Sequence, residues 1–355
     1  MGISKLVLLI ATALAMIAVL VPTIHKDLWV YRIFDYPRLQ KFVIIGVLLA
    51  LWIFFFHESR TWPDLLAMGC LSISFLYLGY LIVPFTPLGK KMIYEDTAQD
   101  DRQVMTVLVA NVYQYNKSYK KLLDLIKVRD PDVVFIVETD QVWLDNLKEI
   151  KQEYPHSIEI PKDNTYGLLF YSKLPVLHSE INYLIDDEIP SIIADVAFSD
   201  KQVRIYGLHP APPVPQESMH STDRDAEILL VGKMAKKHNG PCMVIGDLND
   251  VAWSYTTNLF LKTSGLLDPR HGRGLYSTFH AKYPLLRWPL DHFFVSNDFH
   301  LKNIKVEKSI DSDHFPISIQ LVFCKVDDSD AEKADSEDRE LASEKISRGL
   351  NNDPK

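Results

Sequence analysis

The chain has little cysteine, no excess of basic charge and no internal repeat. Three cysteines occur in 355 residues, Cys70, Cys242 and Cys324, and none has the spacing of a metal site. All three lie in apolar runs, where a thiol behaves as a small hydrophobic side chain. This scarcity excludes a disulfide scaffold but leaves the redox compartment open. The hydrophobic fraction of 47% excludes a wholly disordered chain.

Charge divides the chain into three parts. Residues 1–94 carry 8 basic and 4 acidic side chains and are dominated by apolar runs. Residues 95–325 carry 25 basic and 32 acidic side chains, a net charge of −7. Residues 326–355 carry 5 basic and 10 acidic side chains, a net charge of −5. We interpret these parts as a membrane anchor, a soluble domain and an acidic disordered tail, with a short charged helix over Asp330–Lys345 as the alternative for the tail. The acidic domain disfavours purely electrostatic binding of duplex nucleic acid.

The first part contains three long uncharged runs, at Leu6–Val21, Phe42–Phe56 and Leu65–Phe85. A helix needs about 20 mostly apolar residues to cross a bilayer. The first and third runs meet this length, and the second meets it if the flanking Lys41 and His57 reach the membrane surface. We therefore predict three transmembrane helices. The alternatives are a cleaved signal peptide for the first run and a buried core helix for the second.

Basic residues outside the runs predict the orientation of the anchor. One side of the membrane receives six of them: Lys26, Arg32, Arg38, Lys41, Lys90 and Lys91. The opposite side receives two, Lys5 and Arg60. The positive-inside rule then predicts a multi-pass protein of the cell membrane with a cytoplasmic soluble domain, and the extracytoplasmic orientation is the alternative. Because the runs contain no charge, a transporter or channel is disfavoured.

The soluble domain has the pattern of a mixed α/β fold. Short β-branched runs predict strands at 104–111, 133–137, 167–171, 192–198, 203–208, 242–245, 293–295 and 317–322. Apolar residues at helical spacing predict helices at 118–128, 144–153 and 224–238. Strands, helices and hairpins are mixed, which excludes a sheet of strictly alternating βαβ units.

Polar side chains repeatedly stand at the ends of these buried strands, where sheet enzymes place their sites. They comprise four carboxylates, two carboxamides and two imidazoles: Glu138, Asp247, Asp291, Asp313, Asn111, Asn249, His209 and His314. One such residue alone is more often a turn former or a helix cap, but eight in one domain point to a site. The set suits a hard divalent cation with oxygen ligands, together with acid–base groups.

The chemistry that this set favours is phosphoryl transfer. Glu138 is the candidate ligand of Mg²⁺, which would neutralise charge on the phosphoryl oxygens. His314 is a candidate general base or phosphate clamp oriented by Asp291, and Asp247 is a candidate to position water or protonate the leaving oxygen. The two carboxamides and His209 are candidate donors to phosphate.

Two arginines outside this set receive separate interpretations. Arg287 precedes Asp291 by four residues and is a candidate contact to the substrate phosphate, with a surface role as the alternative. Arg224 and Asp225 open a predicted helix, and we interpret them as a structural ion pair rather than a substrate contact. The domain contains only seven arginines and no long basic loop with interleaved aromatic residues, which weighs against a nucleic-acid substrate.

The order of the polar residues, with GDLN at 246–249, LDHFFVS at 290–296 and SDHFP at 312–316, resembles the endonuclease/exonuclease/phosphatase superfamily. The resemblance covers 104–323, nearly the whole soluble domain. It implies a four-layer α/β/β/α sandwich, two packed mixed β-sheets flanked by helices, which three transmembrane helices precede. It also implies Mg²⁺ as cofactor, with Mn²⁺ as the alternative, and hydrolysis of a phosphoester.

The resemblance implies metal-binding roles for three residues. Glu138 resembles the principal metal ligand, Asn111 the residue that assists at the metal and the phosphate, and Asp313 a second acidic group near the metal. The sequence departs from the pattern of many relatives at His292, where they have Tyr, and around Glu138, which lies in VET rather than LQE. The second departure removes a glutamine that would help at the metal.

The other five residues resemble the catalytic groups of the superfamily. His209 resembles the histidine that contacts the scissile phosphate. Asp247 resembles the group that handles the nucleophile, and Asn249 the one that orients the phosphate. Asp291 and His314 resemble the paired aspartate and histidine. A membrane-anchored bacterial subgroup is a closer likeness, because an Ala-Trp-Ser sequence follows the GDLN motif.

The sequence thus predicts a membrane-anchored, Mg²⁺-dependent phosphodiesterase or phosphatase. A lipid headgroup or small phosphodiester is favoured as substrate because the domain is held at a bilayer. A nucleic acid is the alternative, which would make the protein an anchored endonuclease or exonuclease. The lipid bilayer is the other predicted partner, and no protein partner is predicted. A non-catalytic membrane sensor or scaffold is disfavoured by the complete set of motif residues.

Overall fold

The computed structural model describes residues 3–55, 61–96, 103–324 and 331–351. Three long apolar helices open the chain: α1 (Ile3–Leu20), α3 (Arg38–Phe55) and α4 (Trp62–Ile82). A single turn, α2 (Trp29–Arg32), lies in the loop between the first two. Each long helix has the length and hydropathy to cross a membrane, as the three apolar runs predict. Phe56, His57 and Arg60 lie outside the described residues.

The three long helices pack on one another through a small apolar cluster. Ile45, Trp52, Leu71 and Leu78 are its most buried members. Most of the remaining apolar side chains on these helices are exposed, including Leu76, which is 71% exposed. Such an apolar exterior matches lipid rather than water.

Eleven strands form two sheets in the described part of the soluble domain. They are β1 (Val104–Asn111), β2 (Val133–Val137), β3 (His156–Ile160), β4 (Leu168–Ser172), β5 (Val176–Asn182), β6 (Ser191–Phe198), β7 (Lys201–Leu208), β8 (Cys242–Asp247), β9 (Asp291–Val295), β10 (Phe299–Val306) and β11 (Ile317–Phe323). One sheet has the order β10-β11-β1-β2-β4-β3 and the other β5-β6-β7-β8-β9. Only the pairs β1–β2 and β7–β8 are parallel, so both sheets are mixed.

Helices cover the outer face of each sheet. They are α5 (Tyr119–Arg129) and α6 (Gln141–Asn146) on the first sheet and α7 (Thr222–Lys237) and α8 (Tyr255–Ser264) on the second, and α9 (Ser336–Leu350) packs on α7 and α8. Alternation along β1 explains the layering: Val107 and Val109 enter the core between the sheets, whereas Leu108 and Ala110 face α5 and α6. The result is the four-layer α/β/β/α sandwich that the sequence predicts.

The predicted strands and two of the three predicted helices, at 118–128 and 224–238, agree with the structure. All eight predicted strands are present within two residues of their predicted ends, whereas β3, β5, β10 and α8 were not predicted. The helix predicted at 144–153 is wrong, because α6 ends at Asn146 and a separate 3₁₀ turn covers Lys148–Gln152.

The prediction of a disordered tail is also wrong for residues 331–351. The other residues of the tail, 326–330 and 352–355, lie outside the described residues. The segment forms α9, which buries Ala342 and Ile346 against the helices of the second sheet. Lys345 is 4% exposed and its Nζ lies 2.7 Å from Asp27 and 3.0 Å from Asp225. Ion pairing within this interface compensates for the burial of a lysine in an acidic segment.

The loop between α1 and α3 packs directly on the soluble domain. Arg32 is 2% exposed, and its Nη2 donates to Asp225 at 2.7 Å. The indole Nε1 of Trp253 donates to the Asp35 carbonyl at 2.8 Å, and Trp253 packs beside Phe85 at the end of α4. The apolar helices and the domain therefore share a buried, polar junction.

Candidate active site

The candidate residues stand where strands of both sheets end. Asn111 ends β1, and Glu138 follows the last residue of the parallel strand β2. Asp247 ends β8, and His209 follows the last residue of the parallel strand β7. Because parallel strands present their carboxyl ends at one edge, each pair of residues is brought to the same edge of its sheet. Asp291, which opens the antiparallel strand β9, is in register with Asp247.

Asn111 joins the two sheets at this edge. Its Nδ2 donates to Glu138 Oε1 at 2.7 Å and to Asp247 Oδ2 at 3.0 Å. Its Oδ1 accepts the backbone N–H of Tyr113 at 2.9 Å, which fixes which way the amide points. Burial raises the pKa of Glu138 to about 7, with further contributions from Asp313 and Asp247. Burial therefore favours the protonated form of Glu138 as long as no cation lies beside it.

His314 lies between two buried aspartates. Its Nδ1 is 2.8 Å from Asp291 Oδ2, and its Nε2 is 3.5 Å from Asp247 Oδ2. Burial alone would lower the pKa of His314, but Asp247 and Asp291 raise it to about 10. Burial likewise favours the neutral form of Asp291, yet the contact with His314 lowers its pKa. The pair is therefore an imidazolium and a carboxylate at neutral pH.

Two backbone conformations set the GDLN loop. Gly246 has φ +137°, and a Cβ at this position would overlap the carbonyl oxygen of Leu208 on the neighbouring strand. Asn249 has φ +50°, and its N–H donates to Asp247 Oδ1 at 2.9 Å. Burial raises the pKa of Asp247 to about 6. The turn thus lets Asp247 Oδ1 accept a hydrogen bond from the loop backbone, and Asp247 Oδ2 faces Asn111 and His314.

His209 and the side chain of Asn249 lie together at the edge of the site, which we call the rim. Asn249 Nδ2 donates to the carbonyl oxygen of Pro210 at 3.0 Å, next to His209 in the chain. His209 is 3% exposed, and burial lowers its pKa to about 3, so the ring is neutral. Its Nδ1 has no hydrogen-bond partner among the described residues. The structure thus brings His209 to the rim with a free ring nitrogen.

Asp313 and Arg287 are placed less directly. The Asp313 carboxylate accepts from the Ser312 hydroxyl at 3.3 Å and is partly exposed beside His314. The Arg287 guanidinium lies over the ring of Phe315 at 4.9 Å and donates to the carbonyl oxygen of Ala281 at 3.1 Å. Among the described residues Arg287 forms no ion pair, and its contacts are with the rim rather than with the carboxylates.

The side chains present fit a divalent cation. The carboxylates of Glu138 and Asp247 lie on either side of Asn111, and carboxylate oxygens of Asp247 and Asp291 lie within 4.8 Å of each other. Asp291 Oδ1 is buried and has no hydrogen-bond partner in the described part of the chain. Oxygen-rich sets of this kind suit Mg²⁺ or Mn²⁺, and a cation beside Glu138 would favour its ionised form.

Four residues support this site through hydrogen bonds that the sequence did not predict, although Thr278 was expected to pack beside the site. The carbonyl oxygen of Asn249 accepts from the Tyr36 hydroxyl at 2.9 Å and from Arg224 Nη1 at 2.7 Å. Thr278 Oγ1 accepts the N–H of Asp291 at 3.3 Å, and Ser312 Oγ donates to the Asn111 carbonyl at 2.9 Å.

The predicted ion pair of Arg224 with Asp225 is present at 2.8 Å and buried. Its additional bond to Asn249 has no signal in the sequence, because it joins residues 25 positions apart through a loop turn.

Comparisons with known proteins identify the family and the fold. The profile of the Endonuclease/Exonuclease/phosphatase family matches residues 108–314. The structure of D. rerio TDP2 complexed with single strand DNA product has 18% identity and a TM-score of 0.52, over 62% of this chain and 99% of that one. An endonuclease/exonuclease/phosphatase family protein from Bacteroides thetaiotaomicron has 18% identity and a TM-score of 0.50, over 63% and 99%.

A third solved structure, an endonuclease/exonuclease/phosphatase from Beutenbergia cavernae, has 16% identity and a TM-score of 0.51, over 63% of this chain and 72% of that one. Identities this low show the fold alone. No curated protein matches the chain. The family profile covers more than half of the chain and includes every candidate residue, and members of the family hydrolyse phosphoester bonds. The chain therefore belongs to the endonuclease/exonuclease/phosphatase family.

Proposed function

We propose that the protein is a membrane-anchored, divalent-metal-dependent phosphoester hydrolase whose preferred substrate is a lipid headgroup or a small phosphodiester. The observation that carries this proposal is the His314 imidazole held between Asp247 and Asp291, opposite the Asn111–Glu138 pair. This arrangement offers a cationic group, a carboxylate of raised pKa and a candidate metal ligand, Glu138, that the Asn111 amide orients.

Glu138 is the proposed metal ligand, with Asp313 as a further acidic group beside it. Asn111 orients Glu138 rather than binding the metal as predicted, because its Nδ2 faces the carboxylates and its Oδ1 accepts from the Tyr113 N–H. Mg²⁺, or Mn²⁺ in its place, would supply positive charge to the phosphoryl oxygens when bound. The raised pKa of Glu138, about 7, supports this assignment, because a carboxyl that burial disfavours as an anion is stabilised by a neighbouring cation.

Asp247 is the proposed group that positions the attacking water and accepts its proton. Its pKa of about 6 lies near neutrality, which suits a general base. The pKa of His314, about 10, favours the phosphate clamp over the general base among its two predicted roles, since the ring carries its charge at neutral pH. Asp291 orients that ring through Nδ1, and His209 and Asn249 are proposed donors to the phosphate.

Membrane anchoring through α1, α3 and α4 is part of the proposal. The loop between α1 and α3 contacts the soluble domain, which supports one side of the membrane for both. Lys5 pairs with Asp64 at 2.6 Å near the other ends of α1 and α4. The basic loop then supports a cytoplasmic domain. The D. rerio protein complexed with DNA product keeps an anchored nuclease as the alternative.

The test is hydrolysis by the full-length chain in nanodiscs, with Mg²⁺ or Mn²⁺ and bis(p-nitrophenyl) phosphate, phospholipid and single-stranded DNA as substrates. Glu138→Gln, Asp247→Asn and His314→Gln should each lower kcat by at least about 100-fold. Glu180→Gln, on the exposed outer strand β5, is the matched control and should keep full activity. Full activity in all three site variants would overturn the proposal, and cleavage of DNA alone would select the nuclease.

A further inference from the structure

An exposed apolar segment lies beside the candidate site. Residues 282–286, with the sequence Lys-Tyr-Pro-Leu-Leu, are exposed without interruption. Leu285 is 82% exposed, Tyr283 57% and Leu286 48%. Single exposed leucines are common on soluble proteins, but a continuous apolar tip of this kind marks a surface for a partner or a membrane. We call residues 282–286 the rim segment.

The rim segment is attached at its base to the catalytic residues. The N–H of Ala281 donates to the carbonyl oxygen of Asp313 at 2.6 Å. The ring of Phe279 lies 4.9 Å from the ring of His314. After the segment, Arg287 reaches back to the carbonyl of Ala281. A surface that contacts the rim segment therefore lies close to the phosphate-binding groups.

The same segment is attached to the start of the second membrane-crossing helix. Gln40, in the first turn of α3, donates its Nε2 to the carbonyl oxygen of Leu285 at 2.8 Å. Trp288 packs edge-on against Tyr36, just before that helix, with 5.6 Å between ring centroids. The candidate span begins at Arg38, two residues before Gln40, so Leu285 lies at the level where that helix would enter the bilayer.

From this placement we propose that the rim segment enters the surface of the bilayer and that the substrate is the phosphodiester of a membrane lipid. Leu285 and Leu286 contribute apolar side chains at the boundary between headgroups and acyl chains, and Tyr283 is of the type enriched there. The inference rests on the proposed function, because it takes the anchor as membrane-spanning and the site as hydrolytic. It adds the entry side of the substrate and its chemical class.

Geometry favours a lipid over a soluble polymer as the occupant of this face. The carbonyl oxygen of Asn249 accepts a hydrogen bond from Tyr36, two residues before the candidate span begins at Arg38, so the GDLN loop lies close to the headgroup level. A lipid phosphate presented from the bilayer would approach along the rim segment. A nucleic-acid strand would instead meet apolar tips on this side and few arginines.

Insertion is tested without reference to catalysis. In the full chain with Cys70→Ser and Cys324→Ser, a nitroxide is attached at Leu285→Cys or, as control, at Leu177→Cys on the exposed strand β5. The protein is placed in vesicles of 70% phosphatidylcholine and 30% phosphatidylglycerol. We expect the label at 285 to be relaxed more by oxygen than by a water-soluble nickel chelate, and the label at 177 to show the reverse. A water-exposed label at 285 would overturn the insertion.

The lipid substrate is tested with Leu285→Ser combined with Leu286→Ser, and with Leu177→Ser as the control. In the same vesicles the double variant should hydrolyse phospholipid at least about fivefold more slowly than the parent chain and cleave bis(p-nitrophenyl) phosphate at the parent rate. The control should match the parent on both substrates. Equal loss on both substrates, or none on lipid, would overturn the role of the segment.

The remaining outcomes separate this inference from the proposed function. Hydrolysis of the soluble diester without any hydrolysis of phosphatidylcholine, phosphatidylglycerol, phosphoinositide or sphingomyelin would refute the lipid substrate and leave the hydrolase intact. Absence of hydrolysis on every substrate would refute the proposed function, and the nitroxide measurement would still decide whether the segment enters the bilayer.

Discussion

Replacing Tyr36 by Phe removes one hydroxyl from the junction between the anchor and the catalytic loop. That hydroxyl donates to the carbonyl of Asn249 at 2.9 Å, and Arg224 donates to the same oxygen at 2.7 Å. Asn249 has φ +50° and donates its N–H to Asp247. A shift of the Asn249 backbone would therefore also move the hydrogen bond that positions Asp247, the proposed base. We therefore expect Tyr36→Phe to affect turnover as well as stability.

The size of the effect follows from one neutral hydrogen bond. Because Arg224 still satisfies the carbonyl oxygen, the loss is that of a single bond, about 1 kcal/mol, rather than that of an unsatisfied buried group. If most of it is lost in the transition state, kcat falls roughly two- to tenfold. KM should change little, because Tyr36 is not among the residues proposed to contact the substrate.

The assay compares kcat, KM and Tm of full-length chains in nanodiscs on bis(p-nitrophenyl) phosphate. Tyr154→Phe is the matched control, because its buried hydroxyl also donates to a backbone carbonyl, that of Pro131, at 2.7 Å. Both variants should lose a few degrees of Tm, and only Tyr36→Phe should lose kcat. Unchanged kcat in Tyr36→Phe, or the same loss in both variants, would refute the reasoning.

Three further changes test the framework of the domain by thermal unfolding. Burial raises the pKa of Glu227 to about 8, so the folded chain holds a proton that the unfolded chain releases above about pH 4.5. The stability of the folded chain therefore falls as pH rises from about 4.5 to about 8. Glu227→Gln removes this penalty and should raise Tm more at pH 8 than at pH 5. An equal shift at both pH values would contradict this. Gly246→Ala places a Cβ against the Leu208 carbonyl oxygen and should prevent stable folding. The control Gly69→Ala should be tolerated, because its Cβ would meet no atom within 4 Å. A stable Gly246→Ala variant would show that the turn relaxes. Lys345→Met removes a buried cation from between two aspartates and should cost about 3 kcal/mol, and a neutral outcome would show that α9 packs through its apolar residues alone.

Local sequence patterns predict most of the sandwich because burial imposes them. The strand 133–137 is apolar at every position, since both faces of β2 are covered, and the run can be recognised without any partner. The outer strand β5 is exposed over most of Val176–Asn182 and carries no alternation that burial would select. It was therefore not predicted.

The site is predicted in part for the same reason. Polar residues directly after buried strands are visible in the sequence, and the structure brings Asn111, Glu138 and Asp247 into mutual contact. Contacts that depend on the relative placement of distant segments are not visible. Tyr36 is 213 residues from Asn249, and no local pattern marks its hydroxyl as a partner of that carbonyl.

The buried junction has a consequence for how the two halves of the chain vary over evolution. Arg32 and Asp225 are 193 positions apart and form a buried ion pair, and Lys345 and Asp27 form a second buried pair across 318 positions. Replacing this anchor by another of equal length and hydropathy would take Arg32 away from Asp225 and Asp27 away from Lys345, so each buried charge would keep fewer counterions and the junction would be destabilised. The anchor and the hydrolase domain are therefore expected to be inherited as one unit, with substitutions at these positions occurring in matched pairs.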